Sequence, residues 1–199
     1  MENLSFGIVA LGANLPTADG DPVHALAAAI AALGREPGLR MGDVSRVWRT
    51  PAVPAGSGPD YANAAATIRT TLDARALLDR LHAIEAGQGR DRSTGRWSAR
   101  VLDLDLIALD DLILPDAETL RRWIDLPPGR QQVEAPDRLI LPHPRMQDRG
   151  FVLAPLVEIA PGWRHPLTGL SVSRMLADLD PAALSGMTPL PVRIGATES

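Results

Sequence analysis

Apolar residues along this chain follow two rhythms. Phe6 to Leu11 is a nearly continuous apolar run of strand length, and Gly12-Ala13-Asn14-Leu15 after it reads as a turn at a strand end. Val23, Leu26, Ala27, Ile30 and Leu33 then recur at helical spacing, with Asp21 placed to cap the helix, Pro22 at its first position and Gly34 at its end. Val44 to Arg49 returns to a strand pattern, and Thr50 to Pro59, T-P-A-V-P-A-G-S-G-P, excludes regular structure. Tyr61 to Thr70 reads as a third strand. Asp73 opens a second helix that carries Leu77, Leu78, Leu81 and Ile84, and Val101 to Leu109 is a further apolar run broken only by Asp103 and Asp105.

The order is therefore β-α-β-β-α-β. This is the split β-α-β arrangement of the α+β class: a ferredoxin-like core in which an antiparallel four-stranded sheet carries two helices on one face. Residues 116–137 interrupt it with a polar, proline-containing insertion holding Leu120, Trp123, Ile124 and Leu126, which reads as a lid, a contact surface or an ornament. Arg149 to Pro161 predicts a short apolar helix and Val172 to Leu179 a last one, so C-terminal helices are added to the core. Residues 184–199 have little pattern and are expected to form a loose tail behind one domain spanning 1–183.

Composition narrows the function. At 199 residues the chain can bury a proper core. Its net charge of −4 argues against a dedicated nucleic-acid binder. It has no cysteine, which excludes disulfides, thiolate zinc sites and thiol nucleophiles. No signal-peptide pattern opens the chain and no apolar run approaches the ~20 residues of a membrane span, so a cytoplasmic protein with no membrane partner is expected. All 20 basic side chains counted as Lys or Arg are arginine. A P-loop and a kinase strand lysine are thereby ruled out, and phosphate handling would rest on arginine, metal and backbone.

Gly89 to Leu109 concentrates the candidate chemistry. Arg90, Arg92, Arg96, Arg100 and Trp97 occupy a glycine-containing loop, directly followed by the strand with Asp103 and Asp105. Alternation places both aspartates on one face, roughly 7 Å apart, with Leu102, Leu104 and Leu106 opposite. Two such carboxylates repel, and a divalent cation holds both ionised; hard oxygen ligands without thiol or imidazole nearby favour magnesium. Beside an arginine loop they suit a polyphosphate substrate. The plainer reading of each half is a solvent-facing strand edge and a solvated loop. Glu85, at the edge of the second helix's apolar face, either snorkels at the rim or points into a site.

These segments together resemble a known family, 6-hydroxymethyl-7,8-dihydropterin pyrophosphokinase. The resemblance runs from about Phe6 to Leu179 through L-G-A-N-L, R-T-P-A-V, D-Y-A-N-A, I-E-A-G-Q-G-R-D-R, R-W-S-A-R-V-L-D-L-D-L-I, L-P-H-P-R-M-Q-D-R-G-F-V-L and E-I-A-P. It implies transfer of the β,γ-pyrophosphoryl group of ATP to the pterin hydroxymethyl oxygen, with release of AMP. It implies two magnesium ions on Asp103 and Asp105, and catalytic roles for Arg90 and Arg92. His82, Glu85, Arg92, Trp97, Arg100, Leu106, Arg138, His143 and Arg149 would contact the nucleotide. Tyr61 and Phe151 would sandwich the pterin and Asn63 would bond its amide edge, with further contacts from Thr50, Pro51 and Val53. A monomer is expected. Three departures touch loop closure and rate: Ser93, Ser98 and the length of the 116–137 stretch.

Two other readings keep the same fold. A polymerase-like or cyclase-like palm also sets carboxylates and two metals on such a sheet, but does not need Tyr61, Asn63 and Phe151. An RNA-binding module would display sheet aromatics on a basic face. With one tyrosine, two phenylalanines and a negative net charge, this chain does not suit such a module, and a family member that binds pterin without turnover is a stronger alternative than either.

Overall fold

The computed structural model describes residues 4–16, 20–52, 58–89 and 101–195. The chain begins with β1 (Ser5–Ala13), α1 (Pro22–Leu33), β2 (Leu39–Val44), β3 (Arg46–Thr50), β4 (Tyr61–Thr70), α2 (Ala74–Gly87) and β5 (Asp103–Leu109). It continues through α3 (Ala117–Ile124), α4 (Pro128–Val133), α5 (Gly150–Val157), α6 (Val172–Asp178) and β6 (Thr188–Arg193). The strands lie in the order β5-β1-β4-β3-β6, with β2 also paired to β4. Neighbours are antiparallel throughout. Taking β2 and β3 as one arm gives the split β-α-β connection that the element order predicts.

Both helices of the core start on aspartate caps. The Asp21 carboxylate accepts from His24 N–H at 2.9 Å and that of Asp73 from Ala76 N–H at 2.8 Å. Beneath them, Val9, Leu11, Ala64, Ile68, Leu102, Leu104 and Leu106 meet Leu26, Leu33, Leu77 and Leu81 in the main core. The opposite face of the sheet is also covered. Ile8, Ala10, Ala65 and Ile107 pack under Val152, Leu153 and Leu156 of α5 and Val172 and Met175 of α6. The C-terminal helices therefore complete a three-layer sandwich.

Four boundaries differ from the sequence reading. Gly12 and Ala13 belong to β1 and form no turn. The expected strand Val44–Arg49 is two strands parted at Ser45. Met41 faces Ile68, Val44 faces Ala66 and Trp48 faces Asn63, so extra residues are accommodated along this arm. Fully buried Ser45 makes the break affordable: its N–H donates to Ala65 O, and its hydroxyl accepts from Ala65 N–H and donates to Arg46 O. The insertion is helical, and its α3 buries Leu120 completely, while a bridge between Leu114 and Leu141 closes its base.

The fourth correction concerns the expected tail. Thr188–Arg193 is β6, antiparallel to β3, and Ile194 just beyond it is buried in the main core. Its two prolines, Pro189 and Pro191, hide it from strand-pattern reading. They also suit the outer position, because an edge strand needs no donor on its free side.

Candidate active site

The sheet register places Asp103 and Asn63 in one row. Gly12, in the middle of the row, faces Asp103 on β5 to one side and Asn63 on β4 to the other. Trp48 on β3 lies beyond Asn63. Alternation from this row puts Asp103, Asp105, Asn63, Tyr61 and Thr50 on the face that also carries α5. A side chain at Gly12 would crowd the row: a Cβ there would stand 3.0 Å from Asn63 Oδ1. The glycine thus keeps a shallow floor between the aspartates and the amide.

At the β4 side of this floor, Asn63 Nδ2 donates to Thr50 Oγ1 at 2.6 Å, and both residues are buried. The amide is therefore held in one orientation. Tyr61 pairs across from Thr50 and is half-buried. Phe151, at the start of α5, is 40% exposed and so is not core. The Arg149 guanidinium stands 5.5 Å from its ring centroid. The same guanidinium reaches Asp105 Oδ2 at 3.8 Å, so Arg149 spans the aromatic and acidic ends of the floor.

β5 is shaped for the acidic end. Val9 pairs with Leu106 and Ile8 with Ala108, leaving Ile107 as a bulge. Its carbonyl, outside the ladder, accepts from His143 N–H at 2.8 Å and ties the Leu141–Arg145 segment to the strand. His143 Nδ1 accepts from Arg145 N–H, so a neutral imidazole carries its proton on Nε2. Burial, then the Arg149 charge, lowers its pKa to about 3, while Asp103 pulls weakly the other way. His143 is thus a neutral donor beside the acidic pair.

Glu85 is neither a rim residue nor a free charge. It is 1% exposed, and its Oε1 accepts from Leu104 N–H at 2.8 Å. Leu104 lies between the two aspartates on the open edge of β5, so this carboxylate holds the backbone from which both project. His82 lies one helical turn earlier on α2.

Some predicted residues stand elsewhere. Leu106 turns into the main core and offers the site only its backbone. Arg138 pairs with Asp137 at 3.2 Å and lines a cavity of about 240 Å³ with Thr119, Arg122 and Trp123, five positions before His143. Pro51 packs against Gly186, where a Cβ would meet its ring at 2.8 Å. Arg90, Arg92, Trp97, Arg100 and Val53 lie outside the described residues. Among the described residues no group of three or more His, Cys, Asp and Glu gathers as a metal cage. No helix among them is long and apolar enough to cross a membrane. Gly12 is the site residue that periodicity alone misses; a glycine inside a strand was its signal.

The chain is similar to known proteins over most of its length. The family model for 7,8-dihydro-6-hydroxymethylpterin-pyrophosphokinase matches residues 8–161. A 2-amino-4-hydroxy-6-hydroxymethyldihydropteridine pyrophosphokinase of Synechocystis is 35% identical over 182 residues, 92% of this chain and 80% of the relative. Proteins of the same name from Methylorubrum extorquens and Pseudomonas aeruginosa are 34% and 37% identical. These cover 87% and 79% of this chain, and 93% and 82% of the relatives. Among solved structures, wild-type Plasmodium falciparum HPPK-DHPS superposes with a TM-score of 0.62 at 12% identity, over 89% of this chain. The chain spans 45% of that longer protein, and the likeness concerns the fold alone.

Proposed function

The chain belongs to the 7,8-dihydro-6-hydroxymethylpterin-pyrophosphokinase family, and from that premise we propose how its own residues carry out the reaction. It is an ATP-dependent diphosphotransferase of folate synthesis. The pterin hydroxymethyl oxygen forms a bond to the β-phosphorus of ATP, the bond from that phosphorus to the α,β-bridging oxygen breaks, and AMP leaves. The hydroxyl proton is lost to solvent.

In this reading Asn63, oriented by Thr50, bonds the amide edge of the pterin, and Tyr61 and Phe151 hold its faces. Arg149 and neutral His143 meet phosphate oxygens, to which a guanidinium fork and an imidazole N–H donate. Asp103 and Asp105 are the residues that would hold magnesium. Hard oxygen donors without thiol fit that ion, and two carboxylates fall short of a protein cage, so substrate oxygens would fill the remaining positions. Bound there, two such ions would neutralise phosphate charge and lower the pKa of the acceptor hydroxyl. Glu85 fixes the strand that presents both aspartates. Arg90, Arg92, Trp97 and Arg100 would approach the triphosphate from the loop. The finer parts of the proposal are a domain over 1–183 extended by the strand that follows it, a monomer, and a cytoplasmic location.

The observation that supports this reading is the single row Asp103–Gly12–Asn63, which sets a carboxylate and an amide on one floor. Phosphorus NMR of the protein with ATP, magnesium and 6-hydroxymethyl-7,8-dihydropterin tests the whole. One AMP per pterin consumed and a diphosphorylated pterin are expected. Stoichiometric ADP, or AMP formed without pterin, would contradict the reading.

A further inference from the structure

Glu158, the residue that ends α5, is absent from the chemistry above and yet collects four donors. Its Oε2 accepts from Arg46 N–H at 3.0 Å, and its Oε1 accepts from Arg46 Nε at 3.1 Å, Arg46 Nη2 at 2.9 Å and Trp48 Nε1 at 2.9 Å. Its side chain is 14% exposed. Burial raises its pKa, but the hydrogen bonds from Arg46 and Trp48 more than offset that and leave it below the ordinary value. The Arg46 guanidinium also stands 5.9 Å from the Trp48 ring centroid, closing a triangle of carboxylate, guanidinium and indole.

This triangle is the joint between two arms. One arm is β3, which runs from Arg46 to Thr50, the residue that grips Asn63; Trp48 is itself in register with Asn63. The other is α5, a rod about 12 Å long whose far end carries Phe151. Val152, Leu153 and Leu156 seat the rod on the sheet, but apolar packing is non-directional and does not by itself fix the tilt. A charge-assisted, multiply bonded carboxylate is directional. It sits at one end of the rod, where a small rotation displaces Phe151 at the other end most.

We propose that Glu158 is a positioning residue for the pterin half of the site: through Arg46 and Trp48 it sets the tilt of α5 over β3, and so the place of Phe151 relative to Asn63. The inference rests on the reading of Phe151 and Asn63 as pterin contacts. Its route is specific. Glu158 acts on the pterin through Phe151, and it has no effect once the ring is gone.

A double-mutant cycle tests it. The pterin is titrated calorimetrically into folded wild type, Glu158→Ala, Phe151→Ala and the double variant, with a saturating non-hydrolysable ATP analogue and magnesium present. Glu158→Ala is expected to weaken pterin binding on the order of tenfold, the scale of a partly lost aromatic stack. Glu158→Gln should fall between, because its amide oxygen still accepts from Trp48 Nε1 but no longer pairs a charge with Arg46. The double variant should bind no more weakly than Phe151→Ala alone. Wild-type pterin affinity in Glu158→Ala with only a lowered Tm would make Glu158 a stability residue and overturn the proposal. Additive losses in the double variant would overturn it too. An inert Phe151→Ala would instead remove the ring from the pterin site, and the proposal with it.

Discussion

What a carboxylate does in this sheet depends on which side of β5 it takes. Asp103 and Asp105 rise from a partly open face, while Glu85 meets the same strand from its edge and is buried against a backbone N–H. Their substitutions should part accordingly. Asp103→Ala and Asp105→Ala are expected to lower turnover by several orders of magnitude while circular dichroism and Tm stay near wild type, because both side chains are partly open and the 3.8 Å pair of Asp105 with Arg149 is exposed enough to contribute little. Turnover near normal in both would sink the metal assignment. Glu85→Ala leaves Leu104 N–H without its acceptor in a buried place, which costs about 1–3 kcal/mol of stability. Urea unfolding checks it, and Glu85→Gln, which keeps an acceptor oxygen, should recover most of the loss. Two histidines, half-buried His143 and fully buried His165, give a pH signature. Burial holds His143 near 3 and His165 near 4, both below the ordinary 6.5. Below about pH 6.5 the unfolded chain takes up protons that the folded one refuses. Their contribution to stability is therefore complete above pH 6.5 and shrinks as pH falls toward 4, at no more than about 1.4 kcal/mol per pH unit for each. Unfolding midpoints at pH 7.5 and pH 5 should show the fall. His165→Asn, whose side-chain oxygen can still accept from Leu167 and Thr168 N–H, should flatten it.

Elements were legible in the sequence where one periodicity served one purpose. Both core helices declared themselves by spacing and by aspartate caps, and β4 by the run of small and branched residues from Ala64 to Ile68. The second strand did not. Leu39–Val44 reads L-R-M-G-D-V, and its pattern is set by local exceptions: Gly42 leaves room for Thr67, whose Oγ1 accepts from Asp43 N–H, and Ser45 replaces a ladder residue with its own hydroxyl. Such substitutions of side chain for ladder depend on the partner strand, which a single-strand pattern cannot see. The site was legible in another way. The aspartate pair was visible from alternation, but its closeness to Asn63 follows from strand order, and the place of His143 from the Ile107 bulge. The junction of α5 with the Pro181–Leu184 turn gives an element-scale prediction. A Cβ at Gly150 would lie 2.4 Å from Ala183 O, which is backbone and cannot rotate away. Gly150→Ala must therefore lift the start of α5 from that turn. A loss of about 1–3 kcal/mol is expected by denaturation, the usual range for overpacking, with weaker pterin binding because Phe151 is the next residue. An unchanged midpoint and unchanged affinity would show that the turn yields instead.

At the scale of the whole molecule, the sheet carries two kinds of load on opposite edges. β5 at one edge bears the aspartates and is held from outside by Glu85, whereas β3 near the other bears Thr50 and is held from outside by β6. The strand that sequence reading takes for a tail is thus the counterpart of the buried glutamate: each keeps an arm of the site from moving. Three contacts give β6 its hold. It pairs with β3 from Arg46 to Arg49; Ile194 beyond it is buried in the main core; and Gly186 before it packs on Pro51, next to Thr50. Deleting residues 186–199 should therefore cost more than loop trimming does. Exposing the Ile194 site alone removes about 1.5–3 kcal/mol of burial, and the lost ladder with β3 adds to it, for a total of roughly 3–5 kcal/mol. Ile194→Ala, which keeps the strand, should cost about 2–4 kcal/mol by the same measurement. The two variants then differ in function. With β3 turned into a free edge, Thr50 loses its fixed place under Asn63, and the truncated protein should show a raised KM for pterin even at temperatures where it is folded. Ile194→Ala, with the pairing intact, should not. Guanidinium unfolding gives the first comparison and steady-state kinetics the second. A truncated chain with the wild-type midpoint and wild-type KM would mean that β6 is an ornament on a sheet already complete at β3.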